Sequence, residues 1–307
     1  MSTPGSIGLE LRSLGVTPWM VWFFIALSSY LRRRPAKPES VGRGRIGPPC
    51  KLGRLLRPCG PPPRRAGRTV RHAGAVKEGS GTGLNWAPAQ VPARTAIDGA
   101  LVRLEILDPE RHAASLFTAS HVPGAEDLWQ HLPYGPFAGQ AEFTTWLEQR
   151  AESTDPLFYA VVEWESMRAL GMASYLRIEP DNGVIEVGHI WFAPELQRTR
   201  KATEAIFLMA KTAFDDLGYR RLEWKCDSLN LPSRRAAERF GFTYEGIFRQ
   251  HMIVKGRNRD TAWFSMTDGE WPLRRAAFEA WLAPDNFDSA GDQRRSLAEV
   301  RASLEVG

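Results

Sequence analysis

The sequence predicts a mixed α/β fold in which a mostly antiparallel sheet of six to seven strands is flanked by helices, with a disordered basic arm ahead of it. Three features predict it. Residues 91–288 alternate short apolar runs, bounded by turn residues, with stretches of helical period. Residues 1–84 hold 13 Gly and 10 Pro, a composition that cannot bury a core. Finally, the stretch GHIWFAPELQRTRKATEA, Gly188 to Ala205, leads an apolar strand past Pro194 into a basic turn and a helix start.

The arm carries most of the charge imbalance. Residues 1–84 contain 15 Lys and Arg against 3 Asp and Glu, whereas the remaining 25 basic and 32 acidic residues give the body a net charge of −7. The overall +5 therefore belongs to the arm. Within it, VTPWMVWFFIALSSYL (Val16–Leu31) is apolar but short of the roughly 20 residues that a spanning helix needs, and it lacks the features of a signal peptide. It reads either as a membrane contact or as part of translated upstream sequence absent from the natural protein. In both cases the body is expected in the cytoplasm. Cys50, Cys59 and Cys226 are too few and too scattered for a disulfide framework, and a reducing compartment fits them.

The body begins near Val91. Gly99–Leu107 alternates as a first strand, and Asp108 and Pro109 are the N-cap and first residue of a helix through Ser120. A second helix, AEFTTWLEQRAES, places Phe143, Trp146, Leu147 and Arg150 on one side. PLFYAVVEW, ALGMASYLRIEP and GVIEVGHIWFAP are three strands of an antiparallel meander. Ile206, Met209, Ala210, Ala213, Phe214 and Leu217 form the stripe of a long helix ending at Gly218. YRRLEWKCD is a strand, LPSRRAAERFGF a short helix closed by Gly241, and YEGIFRQHMIV and DTAWFSMT two last strands joined by KGRNR. A further helix follows Trp271, and a polar tail, Asp285–Gly307, is expected on the surface. The domain reading is thus an arm over 1–84, a folded body over 91–288 and a tail over 289–307.

Chemistry concentrates at two places. A helix start offers unpaired N–H groups and the positive end of a dipole, so the turn Gln197, Arg198, Thr199, Arg200, Lys201, Ala202 and Thr203 is suited to phosphate oxygens. A solvated basic turn is the simpler alternative. In CDSLNLPSRRAAERFGF, Asn230 and Ser233 lie between a strand and a helix, where they offer an amide and a hydroxyl; helix capping would also explain both.

Together these pieces resemble the acetyl-CoA core of the GNAT N-acetyltransferase superfamily, nearest in look to its RimJ/RimL branch. The resemblance spans roughly Val91–Asp288, and its specificity lies in Gly183–Thr267. Gln197 and Ala202 match the family's phosphate loop, while Arg200 stands where its first glycine is usual. The resemblance implies acetyl-CoA as co-substrate. It places the pantetheine arm along a bulged, splayed strand through Ile190, Trp191 and Phe192, and the pyrophosphate on residues 197–203, with Arg198, Arg200 and Lys201 as cations. It puts Asn230 and Ser233 against the cofactor, with Ser233 as acid at the thiol. Glu186 is the preferred base, with His189 and Glu223 behind it. Strand alternation puts Glu186 and Gly188 on one face and His189 on the other. Arg249, Gln250, His251, Trp129 and Tyr134 are candidate acceptor-pocket residues.

Competing chemistries lack their context. GSGTG (Gly79–Gly83) has no strand before it or helix after it, no Gly-x-Ser-x-Gly elbow exists, and the six His are scattered. The alternative from another class is a non-catalytic CoA-binding regulatory protein, for which Arg200 is the one feature in favour. The implied partner is an amine, either a small molecule or a protein N-terminus, with no specific nucleic-acid site and a monomer or homodimer as the assembly. The acidic body favours cationic acceptors.

Overall fold

The computed structural model describes residues 86–306; the arm over 1–84, with its apolar segment 16–31, lies outside them. Eight strands form one sheet: β1 (Ile97–Asp98), β2 (Val102–Ile106), β3 (Leu157–Glu163), β4 (Ala169–Glu179), β5 (Val184–Phe192), β6 (Arg221–Asp227), β7 (Thr243–Val254) and β8 (Arg257–Thr267). Their order is β1-β2-β3-β4-β5-β6-β8-β7. Every pair is antiparallel except β5 with β6. The strand beyond the expected six to seven is β1, two residues that add an edge to β2.

Six helices among the described residues cover the sheet: α1 (Pro109–Ser120), α2 (Gln140–Ala151), α3 (Arg200–Lys211), α4 (Leu231–Phe240), α5 (Trp271–Leu282) and α6 (Leu297–Glu305). None of them is long and apolar enough to cross a membrane. Asp108 caps α1 by accepting from the N–H groups of Glu110 and Arg111, and Gly241, at φ 92°, closes α4 in the left-handed region that a Cβ disfavours.

Strand β3 is buried on both faces, and its alternation separates two cores. Leu157, Tyr159 and Val161 join Ile206, Met209, Leu222 and Phe278 on the face of α3 and α5. Phe158, Ala160 and Val162 join Leu116, Phe143, Leu147 and Trp129 on the face of α1 and α2. Two boundaries differ from the sequence expectation. The fold includes residues ahead of Val91: the Trp86 ring packs on Gly183, and the N–H groups of Ala89 and Gln90 donate to the carbonyls of Pro180 and Leu217. The C-terminal tail does not lie wholly on the surface: Ser296 and Glu299 form a capping box, and Leu297 and Val300 are buried in the main core.

One polar residue fixes α3 against the sheet. Glu204 is buried, and its carboxylate accepts from the N–H groups of Ala100, Leu101 and Val102 at 3.0, 2.7 and 2.8 Å. That satisfies three donors at the β1–β2 turn and sets the position of the helix whose start forms the site.

Candidate active site

Strands β5 and β6 pair in parallel only from Val184↔Arg221 to Val187↔Trp224. Beyond that point β5 continues to Phe192 and β6 to Asp227 with no ladder between them, so the two strands diverge into a slot. On the other side of β5 the register against β4 shifts: Trp191 faces Met172, but Gly188 faces Ser174. Two residues of β5, His189 and Ile190, therefore oppose one of β4, Ala173, a bulge at His189, whose φ is 51°. A non-glycine residue in that region is uncommon and marks a locally strained backbone.

The bulge changes which side chains face which way. Simple alternation puts His189 opposite Glu186, but its ring contacts Tyr134 and Phe158 on the α1/α2 face, with ring centroids 5.6 and 5.1 Å away. Glu186, Gly188, His189 and Trp191 thus share one face, while Ile190 and Phe192 pack toward the other core. The expected separation of His189 from Glu186 is therefore corrected by the bulge. Burial, then the charges of Arg150, Arg177 and Arg259, push the His189 pKa down to about 4. Its imidazole is neutral at pH 7.

Past Ala193 the chain turns into α3. Gln197 donates its side-chain amide to the Phe192 carbonyl at 2.8 Å, tying the turn to the strand. Thr199 is the N-cap: its hydroxyl donates to the Leu196 carbonyl at 2.6 Å and accepts from the Ala202 N–H at 3.1 Å. Ala202 is buried, and the buried Thr203 hydroxyl donates to the Thr199 carbonyl and accepts from Arg239. Arg198 sits at φ 62°, exposed. The N–H groups of Arg200 and Lys201, first in the helix, have no acceptor within it. A left-handed residue leading into a helix start produces a concave set of N–H donors suited to an anion.

Two of the cations placed on this turn point elsewhere. Arg200 donates to the Leu282 carbonyl and lies 4.8 Å over the Phe287 ring, clasping the C-terminal segment. Lys201 pairs with Glu163 and, at 3.4 Å, with Glu165 at the end of β3. Successive positions of a helix start diverge around its axis, which sends these side chains to different neighbours. Arg198 is in no ion pair among the described residues.

Across the slot, Asn230 caps α4 by accepting from the Ser233 N–H at 3.0 Å. The Ser233 hydroxyl oxygen accepts from Trp224 Nε1 at 3.0 Å, which leaves its own hydrogen to donate. Cys226 is buried beside it, and burial raises its thiol pKa. Sequence alone does not single out Trp224, since nothing in its spacing announces a partner nine residues on.

On the open face, Glu186 is buried and its Oε2 receives Arg177 at 2.6 Å and Lys225 at 2.9 Å. Lys225 also binds Glu223 at 2.6 Å, and Arg221 joins Glu223 to Glu245. Three carboxylates and three cations balance. Burial raises the Glu186 pKa against the pull of Lys225 and Arg177. Its other oxygen lies over Gly188, where an added Cβ would be 3.5 Å away, beside the bulge. The loop between α1 and α2 roofs this face. His131 meets Asp227 at 3.3 Å, and Lys255 donates to the carbonyls of Trp129 and Gly135 at 2.8 and 2.6 Å. Tyr134 and Trp129 lie within the roof, and His251 binds the Thr261 hydroxyl at 2.9 Å; Arg249 and Gln250 are exposed on β7.

The acetyltransferase (GNAT) domain family matches residues 103–243. A GCN5-related N-acetyltransferase structure from Brucella melitensis is 53% identical, covers 71% of this chain and 99% of its own, and superposes with a TM-score of 0.70. A GNAT-family structure from Chromobacterium violaceum ATCC 12472 is 49% identical, covering 63% of this chain and 97% of its own, with a TM-score of 0.59. YdaF of Bacillus subtilis (strain 168), an N-acetyltransferase by name, is 31% identical over 101 residues, or 33% of this chain. That match spans 55% of YdaF's length. With the slot, the bulge and the helix start all inside the matched region, the chain belongs to the GNAT family of N-acetyltransferases, whose acetyl donor is acetyl-CoA.

Proposed function

We propose that the chain transfers acetyl from acetyl-CoA to a primary amine, on a small molecule or a protein N-terminus, by direct attack in a ternary complex. The observation that carries this reading is the β5/β6 slot running into the donors of the α3 start. Unpaired backbone along Ile190, Trp191 and Phe192 suits the amides of a pantetheine arm. The N–H groups of Arg198, Arg200 and Lys201 suit its pyrophosphate, with Arg198 as the available cation. Asn230 caps with Oδ1, so its Nδ2 hydrogens remain for a ligand carbonyl.

In the reaction the C–S bond breaks as the C–N bond forms. A freed N–H at the His189 bulge stabilises the developing oxyanion. Glu186 takes the proton leaving the amine through the oxygen over Gly188, and burial raises its pKa in the direction that strengthens a base. Ser233 delivers its hydrogen toward the departing sulfur, oriented by Trp224. The non-catalytic alternative loses its one support, because Arg200 turns to Leu282 and does not fill the turn.

Steady-state thiol release with acetyl-CoA and an amine tests this. Converging double-reciprocal lines are expected for direct attack. Parallel lines with a trapped acetyl-enzyme would overturn the mechanism, and acetyl-CoA binding without turnover of any amine would favour the non-catalytic reading.

A further inference from the structure

We propose that the acceptor amine carries its own anionic group, a carboxylate or phosphate, received by Arg259 on the open face of the sheet; this rests on the acetyltransferase reading above. Arg259 pairs with Met252 across the β7–β8 hairpin. By alternation it shares the face of Thr261 and Trp263, which pair with Asp227 and Lys225 of β6. It therefore stands just past the end of β6, at the mouth of the slot.

Polar satisfaction points the same way. Arg259 Nε is buried without a hydrogen-bond partner, and so are the indole N–H groups of Trp263, Trp191 and Trp146 on this side of the sheet. Buried polar groups normally find partners. These four are all donors, so a ligand that satisfies them must bring acceptor oxygens.

The ion pairs of the face leave two arginines out. Glu186, Glu223 and Glu245 are matched by Lys225, Arg177 and Arg221, and Asp227 lies 3.3 Å from His131. Arg150 lies 5.5 Å over the Trp146 ring, and neither it nor Arg259 is in an ion pair among the described residues. Lys255 spends its ammonium on carbonyl oxygens. The burial that chiefly lowers the His189 pKa, with the charges of Arg150, Arg177 and Arg259 behind it, would hold an acceptor amine in its neutral, nucleophilic form. Net charge averages over the whole surface, and salt screens its distant part beyond about 8–10 Å. The expectation of a cationic acceptor, drawn from net charge, gives way to this local arrangement.

The test uses the full chain, with acetyl-CoA binding measured first by calorimetry. β-Alanine, propylamine and 1,3-diaminopropane then offer one chain length with anionic, neutral and cationic ends, and O-phosphoethanolamine separates phosphate from carboxylate. A kcat/KM for the better anionic amine at least about tenfold above the diamine is expected, with Arg259→Gln collapsing that ratio and Arg259→Lys restoring part of it. If none is turned over, a thermal shift of the acetyl-CoA complex by the anionic amines, absent in Arg259→Gln, reads the same preference. A diamine preferred by either measure, or a ratio that Arg259→Gln leaves unchanged, would overturn the anionic acceptor alone. Failure of the folded chain to bind acetyl-CoA would overturn the acetyltransferase reading beneath it.

Discussion

At the scale of single residues, His189 ties backbone strain to electrostatics. Its φ of 51° makes the bulge, and its ring is sealed between Tyr134 and Phe158. Because its folded pKa of about 4 lies below the usual 6.5, the folded state binds its proton less readily than the unfolded chain does. The resulting stability is present above pH 6.5 and is lost as pH falls from there toward 4. A shift of this size corresponds to something on the order of 3 kcal/mol. The urea midpoint should therefore drop between pH 7 and pH 4, and His189→Asn, which tolerates the left-handed backbone but does not titrate, should flatten that drop. An equally steep curve in the variant would remove His189 as its source. At Ser233 the Trp224 bond leaves the hydroxyl hydrogen to donate. Ser233→Ala is expected to lower kcat about a hundredfold. A kcat within twofold of wild type would assign the proton to water. Both residues stand out in the sequence. Arg200 and Lys201 also look like phosphate cations there, because sequence shows charge and not direction. Their partners, Leu282, Phe287 and Glu163, lie 82, 87 and 38 residues away.

Among the elements, those with local signals were legible. Asp108–Pro109 starts α1, Gly241 ends α4, the three meander strands pair in order, and β7 and β8 form the last hairpin. What local pattern misses is set by long-range contact. The single extra residue at the β5 bulge reverses the face of His189 and Trp191, and no period-2 reading can register it. The C-terminal helix α6 is only nine residues long and follows a polar stretch, so its two buried residues are too few to show in the sequence against the surrounding charge. Glu204 resembles an ordinary charged helix residue, yet it is the tie between α3 and the β1–β2 turn. Glu204→Ala strands three backbone donors, each costing about 1–3 kcal/mol when buried and unpaired. A loss of roughly 3 kcal/mol or more is expected from denaturant unfolding. A loss under about 1 kcal/mol would mean that water replaces the carboxylate.

For the molecule as a whole, one sheet seals two cores and opens at a seam where its parallel pair stops short of both strand ends. The seam lies against the start of α3, so the proposed cofactor slot, phosphate turn and acceptor face all come from the same break in the ladder. Net charge said little about that face, because it averages a balanced buried network with exposed carboxylates elsewhere. On the proposed reading, backbone donors of the turn, and not the Arg200 or Lys201 side chains, hold the pyrophosphate. Calorimetric titration of acetyl-CoA into wild type, Arg200→Ala and Arg200→Pro tests it most directly. Proline is tolerated at this first helical position after the extended Thr199, and it removes the N–H; alanine removes the side chain and keeps the N–H. Affinity near wild type is expected in Arg200→Ala and about tenfold weaker binding in Arg200→Pro, the cost of one charge-assisted hydrogen bond. Equal losses in both variants, or no binding to the folded wild type, would contradict that reading.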